Sequence, residues 1–166
     1  QKEKIKLRNP TLQDEEKIVT LDNTTLKNLE LIQTIYNEKE GSLLHSIDNT
    51  RTWMGKRRLK NWIMRPLKDM QIIIKRQSAI NDLMVSNRRL HQIRESLKGM
   101  SDLERLATKL SYGRITSRDM IAISSTLVKM PIIKSILIES NNDYLMDLSE
   151  NLDVLEHMKL KINSAL

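Results

Sequence analysis

The stretch Asp48–Leu67, DNTRTWMGKRRLKNWIMRPL, decides how this chain is read. It holds both tryptophans, Trp53 and Trp62, in a sequence that has no phenylalanine. Lys56, Arg57, Arg58, Lys60 and Arg65 form one basic cluster, Gly55 sits inside a helical pattern, and Pro66 marks a stop. Proline restricts the residue before it and lacks the backbone donor, so a helix is predicted from the cap choices at Asp48–Thr52 to about Arg65. At about 100° per residue, Trp53, Leu59, Trp62 and Ile63 share an apolar stripe, while Lys56, Arg57 and Lys60 point away from it. Arg58 lies beside Met54 and Trp62, where its stem can cover apolar surface. Three readings stay open for the basic face. It is the solvated exterior of an amphipathic core helix, a surface for nucleic acid, or, least supported, a membrane-surface helix. Both tryptophans are expected in the core, and Gly55 is expected to admit another helix closely.

Outward from this stretch, composition favours an all-α fold. The 166 residues are 39% hydrophobic and 30% charged, with only 4 Gly and 3 Pro. Leu, Ile, Lys, Met and Glu suit long helices, and the mixture is unlike that of a disordered tail. No cysteine occurs, which excludes disulfides, thiolate zinc sites and cysteine nucleophiles. Uninterrupted apolar runs such as Ile72–Ile74 are far from the roughly 18 residues of a membrane span, so no membrane partner is expected. The net charge of +7 permits association with a polyanion through counterion release, although basic surfaces also serve solubility alone. The chain starts on Gln1 without an apolar leader and stops within a helical pattern, so it reads as a piece of a longer protein.

Along the chain, residues 1–20 read as a connecting segment, partly extended at IKLR (5–8) and KIVT (17–20) with a turn at Asn9-Pro10. Residues 21–166 read as an antiparallel array of seven or eight helices in one or two lobes. A first helix is expected from Asp22–Thr24 to Tyr36, with Leu26, Leu29, Ile32 or Ile35, and Tyr36 on one face and Gly41 ending it. A short turn at SLLHSID precedes the basic helix. Asp69 caps the next one, with Ile72, Ile73, Ile80, Leu83 and Met84 inward. Leu90, Ile93 and Leu97 form a further stripe, broken at Gly99. Ser101 and Glu104 suggest a capping box before Leu103, Leu106, Ala107 and Leu110, and Thr116 with Asp119 repeats the signal. Ile121, Ile123, Leu127 and Met130 follow, with Pro131 kinking the run or opening a new helix. Leu148, Leu152, Leu155 and Ile162 give the last stripe.

Catalytic signatures are missing from this pattern. Gly55-Lys56 fails as a phosphate loop, since Thr50 stands where Gly is needed and Arg57 where Ser or Thr is needed. His45, His91 and His157 have no ligand spacing, Asp14-Glu15-Glu16 lie in a polar loop, and Ser124-Ser125 lack a base in sequence reach. No catalytic, cofactor-binding or metal residue is therefore assigned, and Lys56, Arg57, Arg58, Lys60 and Arg65 are the only candidates for DNA contact.

LDNTTLKNLELI (21–32), GSLLHSIDNTRTWMGKRRLKNWIMRPLKD (41–69), IKRQSAINDL (74–83) and DLERLATKLSYGRITSRDM (102–120) together resemble the core, or lever, domain of the MutS family of DNA mismatch-repair proteins. The matching positions are Leu21, Asp22, Thr25, Asn28, Leu29 and Glu30. They continue at Gly41, Ser42, Leu43, Leu44, Asp48, Thr50, Thr52, Met54, Gly55, Arg57, Leu59, Trp62, Pro66 and Leu67, and then at Arg76, Asp102, Leu103, Glu104, Arg105 and Asp119. The Thr-x-Met-Gly-x-Arg-x-Leu-x-x-Trp string is its most specific part, and the start is more similar to mismatch-repair MutS than to the recombination-suppressing paralogue. The resemblance covers about residues 20–130. It implies the first part of a helical lever in a dimeric, ATP-driven clamp on mismatched double-stranded DNA. The mismatch-reading Phe-x-Glu motif and the phosphate loop are not in this sequence. ATP and Mg would therefore belong to the full-length parent, and the clamp, the remaining lever and the ATPase would be this piece's partners. The implied location is the cytoplasm, associated with the nucleoid, in a prokaryote, or the nucleus in a eukaryote.

Overall fold

The computed structural model describes residues 17–165. It is all-α. Among the described residues there are ten helices and a single isolated antiparallel bridge, Ile18 with Leu67. That bridge gives Ile18, within KIVT, a partner, flanked by Val19 N–H to Pro66 O at 2.7 Å and Lys68 N–H to Lys17 O at 2.8 Å. The expected extended segment at 5–8 and the turn at Asn9-Pro10 lie outside the described residues.

The first half departs most from the sequence reading. Helix α1 runs only from Asn23 to Asn28, with the Asp22 carboxylate accepting from Thr25 N–H at 2.6 Å. It ends in a Schellman motif, with Glu30 N–H to Lys27 O at 3.0 Å and Leu31 N–H to Leu26 O at 3.1 Å. Glu30 takes the left-handed position at φ 50° that glycine usually fills, so the sequence carried no stop signal there. Its side chain compensates by accepting from Ile35 N–H at 2.9 Å. Leu29, Ile35 and Tyr36 are consequently exposed instead of sharing a helix face. Gly41 (φ 88°) belongs to a later turn against Thr34, not to the end of α1. Helix α2 (Leu43–Ile47), capped by the buried Ser42, leads to α3 (Trp53–Met64).

The second half is a packed helical array: α4 (Met70–Val85), α5 (Asn87–Leu97), α6 (Leu103–Ser111), α7 (Ser117–Leu127), α8 (Met130–Ile138), α9 (Asp143–Glu150) and α10 (Glu156–Ala165). Asp69, Ser86, Asp102, Thr116 and Asn142 cap α4, α5, α6, α7 and α9 in turn. Thr116 and Asp119 form the expected reciprocal capping box. At α6 the cap is Asp102 and not Ser101: Glu104 bonds Arg57, and the Ser101 amide donates to Thr126 Oγ1 at 3.0 Å. Pro131 enters in the first turn of α8, where its missing N–H removes no helical bond. Gly113 (φ 64°) closes α6, with Arg114 N–H reaching Lys109 O at 2.9 Å.

The hydrophobic core lies wholly in this half. Its centre is Ala79, Met100, Leu106, Ile123, Leu127 and Met130, extended by Ile133, Leu137, Leu145 and Ile162. Helix α4 is rotated from the expected setting. Ala79 and Leu83 face inward, while Ile80 and Met84 are exposed. Two polar links set that rotation: Ser140 Oγ donates to Asp82 Oδ2 at 2.8 Å, and Asn142 Nδ2 donates to Ser78 Oγ at 2.9 Å. Leu110, Ile121, Leu148 and Leu155 are likewise exposed. The last stripe is split where α9 ends at Glu150, and Leu155, at φ 50°, stands directly before α10. Across α7 and α8, Ser117–Ile138 is a 22-residue run long and apolar enough by length and composition to cross a membrane, a run the sequence reading overlooked. In this fold it supplies the core, with Ile123, Leu127, Met130, Ile133, Ile136 and Leu137 buried.

Candidate functional site: the basic helix and its carboxylate partners

Helix α3 starts because Thr52, extended at φ −135° and ψ 152°, accepts from Gly55 N–H through its hydroxyl at 2.9 Å. The loop before it is fixed by Asp48, whose Oδ1 accepts from Thr50 N–H at 3.1 Å and from Thr50 Oγ1 at 2.6 Å. The second carboxylate oxygen of Asp48 meets Lys56 Nζ at 2.8 Å. Lys56, then Thr50, hold the Asp48 carboxyl at about 2, below the ordinary range. Gly55 does not serve another helix, as the sequence suggested. A Cβ there would stand 3.0 Å from Thr52 Oγ1 and 3.6 Å from Thr50 Cβ, so the close neighbour is the helix's own capping loop.

Arg57 reaches across 45 residues of sequence to the N-terminus of α6. Its two terminal nitrogens form a fork on the Asp102 carboxylate, Nη1 donating to Oδ2 and Nη2 to Oδ1 at 2.8 Å, and Nη2 also bonds Glu104. Forked guanidinium–carboxylate pairs are directional as well as strong. Asp102 meanwhile caps α6, accepting from Arg105 N–H at 3.2 Å. The Arg57 bond, then the Arg105 amide and the Arg57 charge, lower the Asp102 carboxyl, and Asp102, then Glu104, raise Arg57. The Asp102 side chain is 15% exposed and Glu104 72% exposed, so Asp102 is the partner that matters energetically.

The remaining candidates are arranged differently. Arg58 lies 5.6 Å from the centroid of the Trp62 ring. Arg76, from α4, lies 4.1 Å from the same centroid. These are cation–π distances. Lys60 is exposed and makes no ion pair among the described residues. Arg65 closes α3, its N–H bonding Asn61 O at 3.0 Å. The tryptophans are not core residues: Trp53 is 69% and Trp62 41% exposed. The core they were expected to fill is built from aliphatic side chains in the other half.

Sequence reasoning thus found the basic residues but not their partners. Asp48, Asp102, Glu104 and Arg76 carry no local signal of pairing, except that Asp48 precedes Lys56 by two helical turns' worth of chain. The other singled-out groups have structural settings. Ser124 is buried and donates to Asn163 Oδ1 at 2.6 Å, and Ser125 donates to Ala122 O at 3.0 Å. His45, His91 and His157 are exposed. Among the described residues no group of three His, Asp or Glu side chains could hold a metal ion.

Comparison with known proteins agrees with this frame. The family model "MutS domain III" matches residues 24–166. The chain is 38% identical over 147 residues to the DNA mismatch repair protein MutS of Listeria monocytogenes (strain EGD-e), covering 88% of this chain and 17% of that protein. It is 38% identical over 152 residues to the MutS of an Exiguobacterium strain, covering 91% and 18% of the two. Against the MutS of Trichormus variabilis it is 34% identical over 162 residues, covering 97% and 19%. The chain therefore spans about a fifth of the length of the curated relatives it matches. It belongs to the MutS family of DNA mismatch-repair proteins, as a domain III.

Proposed function

We propose that this chain is the structural and transmitting lever of a mismatch-repair parent. In that role it couples a DNA-gripping clamp to an ATPase, both outside the chain, and carries no catalytic step of its own. One observation supports this above the others: the basic helix turns two of its cations inward on the chain, Lys56 to Asp48 and Arg57 to Asp102 and Glu104. The second pair ties the first half of the chain to the helical core, as a strut requires. Close-packed elements pass strain as rigid-body shifts, and linkage makes the coupling reciprocal. If ATP changes the parent's affinity for DNA, DNA changes its affinity for ATP by the same factor. On this reading the parent binds mismatched duplex, ATP and Mg, works as a dimer, and resides in the cytoplasm of a bacterium, as its relatives' organisms suggest.

Two measurements test the proposal. Fluorescence titration of this chain with matched and mismatched duplex at about 150 mM salt should give affinity weaker than micromolar and no mismatch preference. Tight, mismatch-selective binding would overturn it. In the whole parent, Arg57→Ala should reduce the factor by which ATP changes DNA affinity, and an unaltered factor would remove Arg57 from the strut. A second reading, a basic module that binds DNA by itself, draws on the exposed Lys60, which has no ion pair among the described residues. It requires a salt slope of about −0.9 per phosphate contacted and loss of binding on charge reversal at Lys56 and Lys60.

A further inference from the structure

We infer that the cleft beside Trp62 is a binding site for a carboxylate side chain carried on an acidic, partly apolar peptide segment. The basic helix is not one uniform surface. Lys56 and Arg57 are tied to carboxylates, while Arg58 and Trp62, at i and i+4, line with Arg65 one cleft of about 230 Å³. Arg76 enters it from α4, and Ile18 and Leu67 form its apolar wall. None of the described side chains lining it is acidic. Arg65 is engaged in another contact, and Arg58 and Arg76 carry the inference without it. Both lie over the Trp62 ring, at 5.6 and 4.1 Å from its centroid, and neither has a carboxylate partner among the described residues. The Arg76 Nε is buried with no hydrogen-bond partner among the described residues.

Two guanidinium groups that line one cleft with no carboxylate among the described residues attract an oxyanion, which fills their donor forks. The choice of carboxylate over duplex phosphate follows from the surroundings. A duplex backbone needs a track of free cations, and of the neighbouring cations on α3, Lys56 and Arg57 are already tied, which leaves Lys60 alone. The cleft instead offers a few donors beside the indole, Ile18 and Leu67, which suits an acidic side chain flanked by an apolar one.

The test uses the full chain with Trp53→Phe, leaving Trp62 as the only tryptophan reporter. Its fluorescence is titrated with a short peptide of alternating Glu and Leu and with the Gln/Leu counterpart. The same titrations are run on a chain with Asp14→Asn, Glu15→Gln and Glu16→Gln, because that acidic run precedes Ile18 closely in sequence. Expected is saturable binding of the Glu peptide to one or both chains, weakened about tenfold or more by its Gln counterpart and by Arg58→Gln. Tighter capture by the neutralised chain means that the chain's own carboxylates compete for the cleft, and it supports the assignment. Arg58 is exposed, so its variant should fold, with circular dichroism and thermal midpoint as the check; Arg76→Lys keeps the charge but loses the fork. Binding to neither chain overturns the inference. So does equal binding of the Gln peptide, or displacement of the Glu peptide by duplex DNA at lower concentrations than free Glu peptide requires.

Discussion

Replacing Leu127 by Ala tests where this molecule keeps its stability. Leu127 is 2% exposed, the largest side chain so fully enclosed among the described residues, and it lies in α7 at the centre of the aliphatic core. The truncation removes three buried carbons, about 2.4 kcal/mol at about 0.8 kcal/mol for each. The cavity left by neighbours that relax only in part raises the loss to about 3–4 kcal/mol. For a domain of this size that corresponds to a fall of about 6–16 °C in thermal midpoint. Trp53→Ala is the matched contrast. Trp53 is far larger but 69% exposed, so its removal should cost about 1 kcal/mol or less. Urea unfolding of both variants, followed by far-ultraviolet circular dichroism, gives the two numbers from the shift in midpoint at unchanged slope. A Leu127→Ala loss below about 1.5 kcal/mol, or a Trp53→Ala loss as large as it, would refute the placement of the core in the second half.

Other variants probe the basic helix and its caps. Trp62→Ala should cost about 1–2 kcal/mol, since the ring is 41% exposed and its remaining contacts include Arg76; a loss of about 3–5 kcal/mol would return Trp62 to the core. Gly55→Ala should fail to deliver the roughly 1 kcal/mol that alanine normally gains in a helix, because its Cβ presses on the Thr52 cap, and a clear rise in midpoint would show that the loop yields freely. Arg57→Lys keeps the charge but loses the fork, so hydrogen exchange at the start of α6 should accelerate while exchange in α8 is unchanged; acceleration in neither would discount the cross-link. Asp48 and Asp119 are each held at about 2, by Lys56 and Lys109 respectively, below the unfolded value of about 3.9. The stability they contribute is therefore fully present above about pH 4 and is lost as pH falls through about 2. Asp48→Asn with Asp119→Asn should flatten the urea midpoint across that window, and an undiminished slope would assign the acid sensitivity elsewhere.

The helices of the second half were legible because their signals are local. Asp69, Thr116 with Asp119, Pro131 and Gly113 each declare an end within one turn of where it falls. The long first helix was misread for the same reason in reverse. Its stop depends on Glu30 taking a glycine-like conformation, which bonds from Ile35 and Leu43 support and no residue type announces. The tryptophans were misplaced because size and apolarity describe a residue's preference and not the space available to it; the core was closed by aliphatic residues between residues 79 and 162. At the candidate site, periodicity separated the faces of α3 correctly enough to set Lys56 and Arg57 outward. It could not foresee that outward carries Arg57 to Asp102, since a contact over 45 residues is a property of topology.

The confinement of the apolar core to one half has a consequence for how the chain comes into being. A ribosome joins residues 17–67 before any of the core residues 79–162 are added. Their helices are short, six, five and twelve residues, near or below the length that holds together alone in water. The leading portion therefore emerges as a solvated, interconverting chain with its indoles uncovered. It acquires shape only when Asp102 and Arg76 arrive to receive Arg57 and Trp62. Formation of this domain is thus vectorial in reverse: its later half serves as the template for its earlier half.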